Sequence, residues 1–207
     1  MKQILTSVLV LLVISSSKGQ NDVMPACIMA NAGVNLTDLN RNYFYSSNAQ
    51  PGYQIGGNFR TNGDIFLMAG IQFEQINPKM TYLTTNSTDK VSMSYLQVPV
   101  LAGAHIVKWN EKQNTFHATL GGSFTTLLDV SENNVGISKD DLRTFGFTVK
   151  AGLGVDIWKL IIDLNYNLLI TKVYDTPGYN NKAKLMSWEL MLGYKFPLKK
   201  HEQQDAD

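Results

Sequence analysis

Ser187-Trp188-Glu189-Leu190-Met191-Leu192-Gly193-Tyr194-Lys195-Phe196 changes character at nearly every step. In an extended chain Trp188, Leu190, Leu192, Tyr194 and Phe196 fall on one side, and Ser187, Glu189, Met191, Gly193 and Lys195 on the other, because successive side chains of a strand point to opposite faces. One side is oily and aromatic and the other mostly polar. The stretch therefore reads as a strand standing between two different surroundings.

The same period of two runs back through the chain. Leu160, Ile162, Leu164, Tyr166, Leu168 and Ile170 alternate with Ile161, Asp163, Asn165, Asn167 and Leu169. Phe145 to Ile157 carries an apolar row opposite Gly146, Thr148, Lys150, Gly152, Gly154 and Asp156. Phe116, Ala118, Leu120, Phe124 and Leu128 oppose His117, Thr119, Gly121, Ser123 and Thr125. Leu96 to Ile106 opposes Gln97, Pro99, Gly103 and His105, with a slip of phase near Tyr95 that suits a bulge. Ile65 to Phe73 opposes Gln72 and Glu74, and Tyr53, Ile55 and Phe59 oppose Gln54, Asn58 and Arg60. A weaker strand from about Cys27 to Thr37 completes eight.

Connections between these strands alternate short and long. Asn62-Gly63, a stretch near Trp109 to Gln113, and Trp158-Lys159 are short. Asp38 to Pro51, Asn77 to Asp89, Ser131 to Asp141 and Asp175 to Lys182 are long and polar. Asn62-Gly63 is a two-residue hairpin signal, because both residue types tolerate positive φ. Strict alternation of this kind fits a barrel with tight turns at one end and loops at the other.

The chain has 207 residues, enough for one domain. Only 17% are charged, against about 25% in ordinary soluble domains, so part of the surface faces something other than water. Eighteen basic and 17 acidic side chains leave no basic excess for nucleic acid. Met1 to Gln3, the apolar run Ile4 to Ile14 and the small residues Ser15 to Gly19 read as a signal peptide over 1–19, followed by a barrel over 20–198 and a polar tail over 199–207. No later run reaches the roughly 20 apolar residues of a spanning helix, so any membrane crossing is made by strands. The single cysteine, Cys27, excludes an internal disulfide. Met24-Pro25-Ala26-Cys27 loosely matches a lipidation box, although Asn21 and Asp22 separate it from the apolar run; a small strand residue is the simpler role.

Alternation alone does not say which row faces lipid, and a secreted lipocalin-like cup would show the same rows inverted. Three features place the apolar rows outside. Arg60, Glu74, Lys150, Asp156, Asp163, Glu189 and Lys195 share the polar rows and carry both signs, so they can pair in a narrow lumen, whereas a charge facing hydrocarbon costs about 2–4 kcal/mol. Aromatics gather near strand ends, with Trp109, Trp158, Tyr194 and Phe196 low and Tyr43, Tyr45, Tyr82 and Tyr174 high, as in two interfacial girdles. Glycines on the polar rows leave room for long neighbours in a narrow interior. The expectation is an all-β, eight-stranded antiparallel up-and-down transmembrane β-barrel with short periplasmic turns and longer extracellular loops, its lumen filled by side chains.

Ala32-Gly33-Val34-Asn35-Leu36, Pro51-Gly52-Tyr53, Tyr95-Leu96-Gln97-Val98-Pro99, Ala151-Gly152-Leu153-Gly154-Val155-Asp156 and Leu192-Gly193-Tyr194-Lys195-Phe196, taken in order, resemble the PorT-like outer-membrane β-barrel family of Bacteroidetes-type bacteria. The resemblance covers nearly the whole mature chain. It implies a small barrel of the OmpA or OmpX kind in the bacterial outer membrane, in contact with outer-membrane lipid and the barrel-assembly machinery. One founding member is linked to type IX secretion and gliding, so envelope or secretion-complex proteins are the implied partners. The residues after Phe196 depart from barrels that stop at their last aromatic.

Motifs for chemistry are sparse. There is no Gly-rich phosphate loop, paired-cysteine zinc motif or His-Glu metal helix, and no cofactor is expected. Ser123, His105, His117 and Asp163 lie on polar rows and could supply a nucleophile, base and orienter if the fold brought them together. An EF-hand frame begun at Asp129 would put Asn134 at the glycine position and Asp140 at the glutamate position, so calcium is not expected there. Asn35-Leu36-Thr37 and Asn86-Ser87-Thr88 match the glycosylation triplet by accident in a bacterial chain. The function expected is non-enzymatic, exercised through the outside loops or as an envelope accessory, with Tyr43, Tyr45, Tyr82, Tyr174 and Tyr179 as loop contacts. A narrow channel or small-ligand carrier is the alternative, and its conductance should change on Lys150→Ala.

Overall fold

The computed structural model describes residues 25–40, 45–82, 87–109, 114–134, 136–174 and 184–198. They contain β1 (Cys27–Asn40), β2 (Tyr45–Asn48), β3 (Gln50–Arg60), β4 (Ile65–Ile76), β5 (Lys79–Tyr82), β6 (Ser87–Lys90), β7 (Met93–Trp109), β8 (Asn114–Val130), β9 (Phe145–Ile157), β10 (Leu160–Leu169) and β11 (Lys184–Pro197). Eight of them close a barrel in the order β1-β11-β10-β9-β8-β7-β4-β3, so each pairs antiparallel with its neighbour in the chain and the last meets the first. The β1–β11 seam runs from Cys27 opposite Pro197 to Asn40 opposite Lys184. Closure pairs the backbone groups between strands and leaves the barrel no open edge.

Alternation sets the two faces. Leu164, Leu190, Leu192, Leu153, Leu120 and Ile55 are exposed around the wall, whereas Arg60, Glu74, Lys150, Asp156, Glu189 and Lys195 are buried inside it. The slip at Tyr95 appears as a register shift between Ser94 and Tyr95. A second shift, between His105 and Val107, turns both Ile106 and Val107 outward. Both residues are apolar, so their sequence gives no hint of the extra step.

Two local expectations need correction. β3 ends at Arg60 and β4 begins at Ile65, and only Gly63 there has positive φ, 117°. Both central residues of a type I′ turn need positive φ, so the link is not that turn. It is closed instead by Leu67 N–H donating to Thr61 Oγ1 at 2.9 Å and Thr61 N–H to Leu67 O at 2.9 Å. The first two long connections are also not simple loops. β2, β5 and β6 form a separate three-stranded sheet, with Tyr45 opposite Tyr82 and Tyr82 opposite Ser87.

The long-loop end is closed by a stopper of apolar side chains. Ile76, Val91, Met93 and Leu127 from the strand ends meet Ile137, Leu142, Val173 and Tyr174 from the loops. Arg143 N–H donates to Val173 O at 2.9 Å, and Leu127 N–H to Thr144 O at 2.8 Å, so the loops are tied down by their backbones. Fully burying one such side chain contributes about 1.5–3 kcal/mol over leaving it exposed, which gives this end a small core of its own. The loops expected to be polar thus carry the barrel's main apolar cluster.

Candidate functional site

Within the lumen the charged side chains form two groups. In the short-turn half, Asp156 on β9 accepts from Arg60 Nη2 on β3 at 2.7 Å and from Lys195 Nζ on β11 at 3.0 Å. His117 stands between carboxylates, with Nδ1 3.5 Å from Asp156 Oδ1 and Nε2 3.0 Å from Asp163 Oδ1. The Phe66 ring lies 5.1 Å from the Arg60 guanidinium and 4.8 Å from the His105 ring. Asp156 is fully buried, whereas the Asp163 side chain is 24% exposed, so Asp163 is the member nearest water. Arg60, Lys195 and His117 thus gather around Asp156 and Asp163.

The long-loop half is built differently. Lys150 Nζ on β9 lies 2.9 Å from Glu189 Oε2 on β11, both deeply buried. Glu74 on β4 accepts from Asn35 Nδ2 at 3.1 Å and from Gln97 Nε2, both neutral donors. Thr37 Oγ1 donates to Ser187 Oγ at 2.8 Å. A cavity of about 30 Å³ lies beside Glu74, with Gln97, Thr125, Thr148, Asn167 and Ser187 among its walls. That is room for one or two waters.

The seven lumen charges read from the sequence thus fall on the inner wall in two separate sets. Arg60, Asp156, Asp163 and Lys195 meet in one; Lys150 and Glu189 pair in the other, with Glu74 nearby. His105, His117 and Phe66 complete the first set. Phe66 shares the phase of Gln72 and Glu74, so alternation puts it on the inner row, but an apolar residue there was not picked out among the polar ones.

The loop tyrosines fare less evenly. Tyr174 is buried at 2% exposure in the stopper and bridges Leu142, so it is neither a girdle residue nor a surface contact. Tyr45 and Tyr82 face each other in register across β2 and β5. Tyr43 and Tyr179 lie outside the described residues, as do residues 1–19, expected as a signal peptide, and 199–207, expected as a tail.

The hydrolase constellation is not assembled. Ser123 and His117 stand six residues apart on β8, about 20 Å along a strand at roughly 3.3 Å per residue. Ser123 Oγ instead lies 3.5 Å from Gln97 Oε1. Cys27 is buried beside Met29 and Ile161 as a small strand residue of the inner wall. Asn35 is fully buried and closed to glycosylation. In the Asp129 to Asp141 loop, Asn133 Oδ1 accepts the Ile137 N–H at 3.0 Å and Asn133 Nδ2 donates to Ile137 O at 2.7 Å. An amide clasp shapes that loop.

Residues 20–175 match the model of the outer membrane protein beta-barrel domain. The chain belongs to that family. This outer-membrane barrel is also similar to solved structures: Ail, the attachment invasion locus protein of Yersinia pestis, solved in complex with the heparin analogue sucrose octasulfate, is 16% identical, with 84% of this chain and 100% of that chain covered and a TM-score of 0.51. Neisserial surface protein A is 13% identical, with 86% and 100% covered and a TM-score of 0.49. At such identities the Ail match speaks for the fold alone. No curated protein sequence matches significantly. In the outer-membrane barrel the short-turn end is periplasmic and the long-loop end extracellular.

Proposed function

We propose that this barrel is a non-enzymatic outer-membrane protein that works through its extracellular face, as an accessory of an envelope or secretion complex. The observation that carries the proposal is the filling of the lumen by side chains. Ion pairs occupy both halves of it, and an apolar cluster from Ile76 to Tyr174 packs at its long-loop end. A diffusion pore needs a continuous path, and a wall of eight strands leaves an interior that side chains can fill. What remains for function is the surface outside.

The β2-β5-β6 sheet supports the same view, since it gives that surface an ordered platform rather than loose loops. Partner contacts are assigned to the platform around Tyr45 and Tyr82, and to Tyr43 and Tyr179. Outer-membrane lipid surrounds the exposed leucines, and the barrel-assembly machinery inserts the chain. The PorT-like motifs add the secretion-complex role to this proposal.

Photo-crosslinkers placed at Tyr45 and Tyr82 in native membranes test it. The expected result is discrete adducts with envelope proteins from these positions and only lipid adducts from Leu164. Absence of protein adducts from both, together with steady single-channel conductance in planar bilayers, would overturn it in favour of the narrow channel.

A further inference from the structure

The charges of the extracellular half do not balance. Lys150 is one cation between two carboxylates, and it lies against Glu189 at 2.9 Å, which leaves Glu74 with amide partners only. Asn35 and Gln97 donate hydrogen bonds but bring no positive charge. In the periplasmic half Asp156 has Arg60 and Lys195 beside it, and Asp163 has His117. Among the described residues Glu74 is the lumen carboxylate held by neutral donors alone.

Beside Glu74 is the cavity of about 30 Å³, and its lining residues include Thr125, Thr148, Ser187, Gln97 and Asn167. Asn167 is 5% exposed and its Oδ1 has no hydrogen-bond partner. A buried amide oxygen left unmatched costs about 1–3 kcal/mol, so it calls for a donor or a cation. Tyr95, Leu169 and Leu185, which pack against the stopper, line the rest of the cavity. One carboxylate and several neutral oxygens, with no sulfur or imidazole, are ligands for a hard cation.

We propose that this cavity is a binding site for one small monovalent cation, held between the Glu74 carboxylate and the neutral oxygens of Asn167 and the surrounding hydroxyls. The charge decides the valence. With Glu74, Glu189 and Lys150 ionised the group carries a single net negative charge, which a sodium- or potassium-sized ion neutralises and a divalent ion overshoots. The volume decides the size, since a bulkier organic cation does not fit where one or two waters do.

The test uses the purified full-length barrel in liposomes at fixed pH and ionic strength. Thermal unfolding is followed while choline chloride is replaced by NaCl or KCl. The expected result is a saturable rise of the unfolding midpoint with one of the two alkali ions and none with choline. Glu74→Gln should abolish the rise, and Asn167→Leu should weaken half-saturation about tenfold; the second variant carries the test if the first does not fold. Thallium(I) soaked into crystals should give an anomalous peak beside Glu74. The proposal is overturned by a midpoint indifferent to the alkali ion and an empty thallium map, which would assign the cavity to water and a proton on Glu74. It is equally overturned by a rise that persists in both variants, or by a larger saturable rise with magnesium or calcium.

Discussion

Arg60 and Asp156 meet at 2.7 Å from opposite walls of the barrel, β3 and β9, with three strands between them on either side. The pair spans the interior, and Lys195 joins it from β11 at 3.0 Å. Removing the shared carboxylate would strand two buried cations. For Asp156→Ala the expected loss is about 3–5 kcal/mol, because one partner of a buried pair is left uncompensated. Urea unfolding in liposomes measures it. Joint replacement of Arg60, Asp156 and Lys195 by apolar residues of similar volume should restore much of the loss, which separates charge from packing.

The outer wall gives a prediction with depth in it. Leu164 pairs with Leu153 and Leu190 near mid-strand, whereas Phe196 lies at the periplasmic end opposite Ile28. Leu164→Arg should cost about 2–4 kcal/mol and Phe196→Arg about 0–1, since a charge at the bilayer midplane is far worse placed than one at the interface. Equal costs for the two would contradict the proposed placement of the wall.

Two inward glycines should respond oppositely to a methyl group. A Cβ on Gly103 would run into the Phe66 ring and the Ala118 carbonyl. On Gly193 it would meet nothing closer than 3.5 Å, ordinary contact. Gly103→Ala should therefore destabilise by about 1–3 kcal/mol, as overpacking does, with partial rescue by Phe66→Leu. Gly193→Ala should be neutral or slightly stabilising. Equilibrium unfolding of the four proteins decides it.

Outside the membrane Asp89 on β6 provides a pH-dependent tie. Its carboxylate accepts the Asn134 N–H at 2.8 Å and the Lys90 N–H at 2.7 Å, and these donors hold its pKa below the usual value of 3.8. A lowered folded pKa means the contribution is complete above the unfolded value and fades as pH falls through the folded one. Protection of the Asn134 amide against hydrogen exchange should thus drop in acid. In Asp89→Asn it should change little over the same range.

Much of the barrel was legible because each strand separates lipid from lumen, and that contrast is written residue by residue in segments such as Ser187 to Phe196. The slip at Tyr95 showed itself because polar and apolar residues changed places there; the one before Val107 did not, because Ile106 and Val107 are both apolar. β2 and β5 escaped because short polar runs such as Tyr45-Ser46-Ser47-Asn48 carry no contrast of faces. The stopper left a trace that the loop assignment overrode: Val91, Met93, Ile137, Leu142 and Val173 are apolar residues in or beside stretches taken as solvated, and Tyr174 belongs with them. The candidate lumen charges were recognisable by phase. Their division into two sets was not, because alternation gives the face of a residue and says nothing of its height along the barrel or its neighbour across it.

The seam between β1 and β11 joins the first and last strands of the barrel over fourteen registered positions, Cys27 to Asn40. No earlier hairpin can stand in for it, so six or seven strands would remain a curved ribbon with two bare margins exposed to any passing strand. Insertion must then wait on synthesis, and a ribosome stalled before Lys184 releases a product that has no way to become watertight.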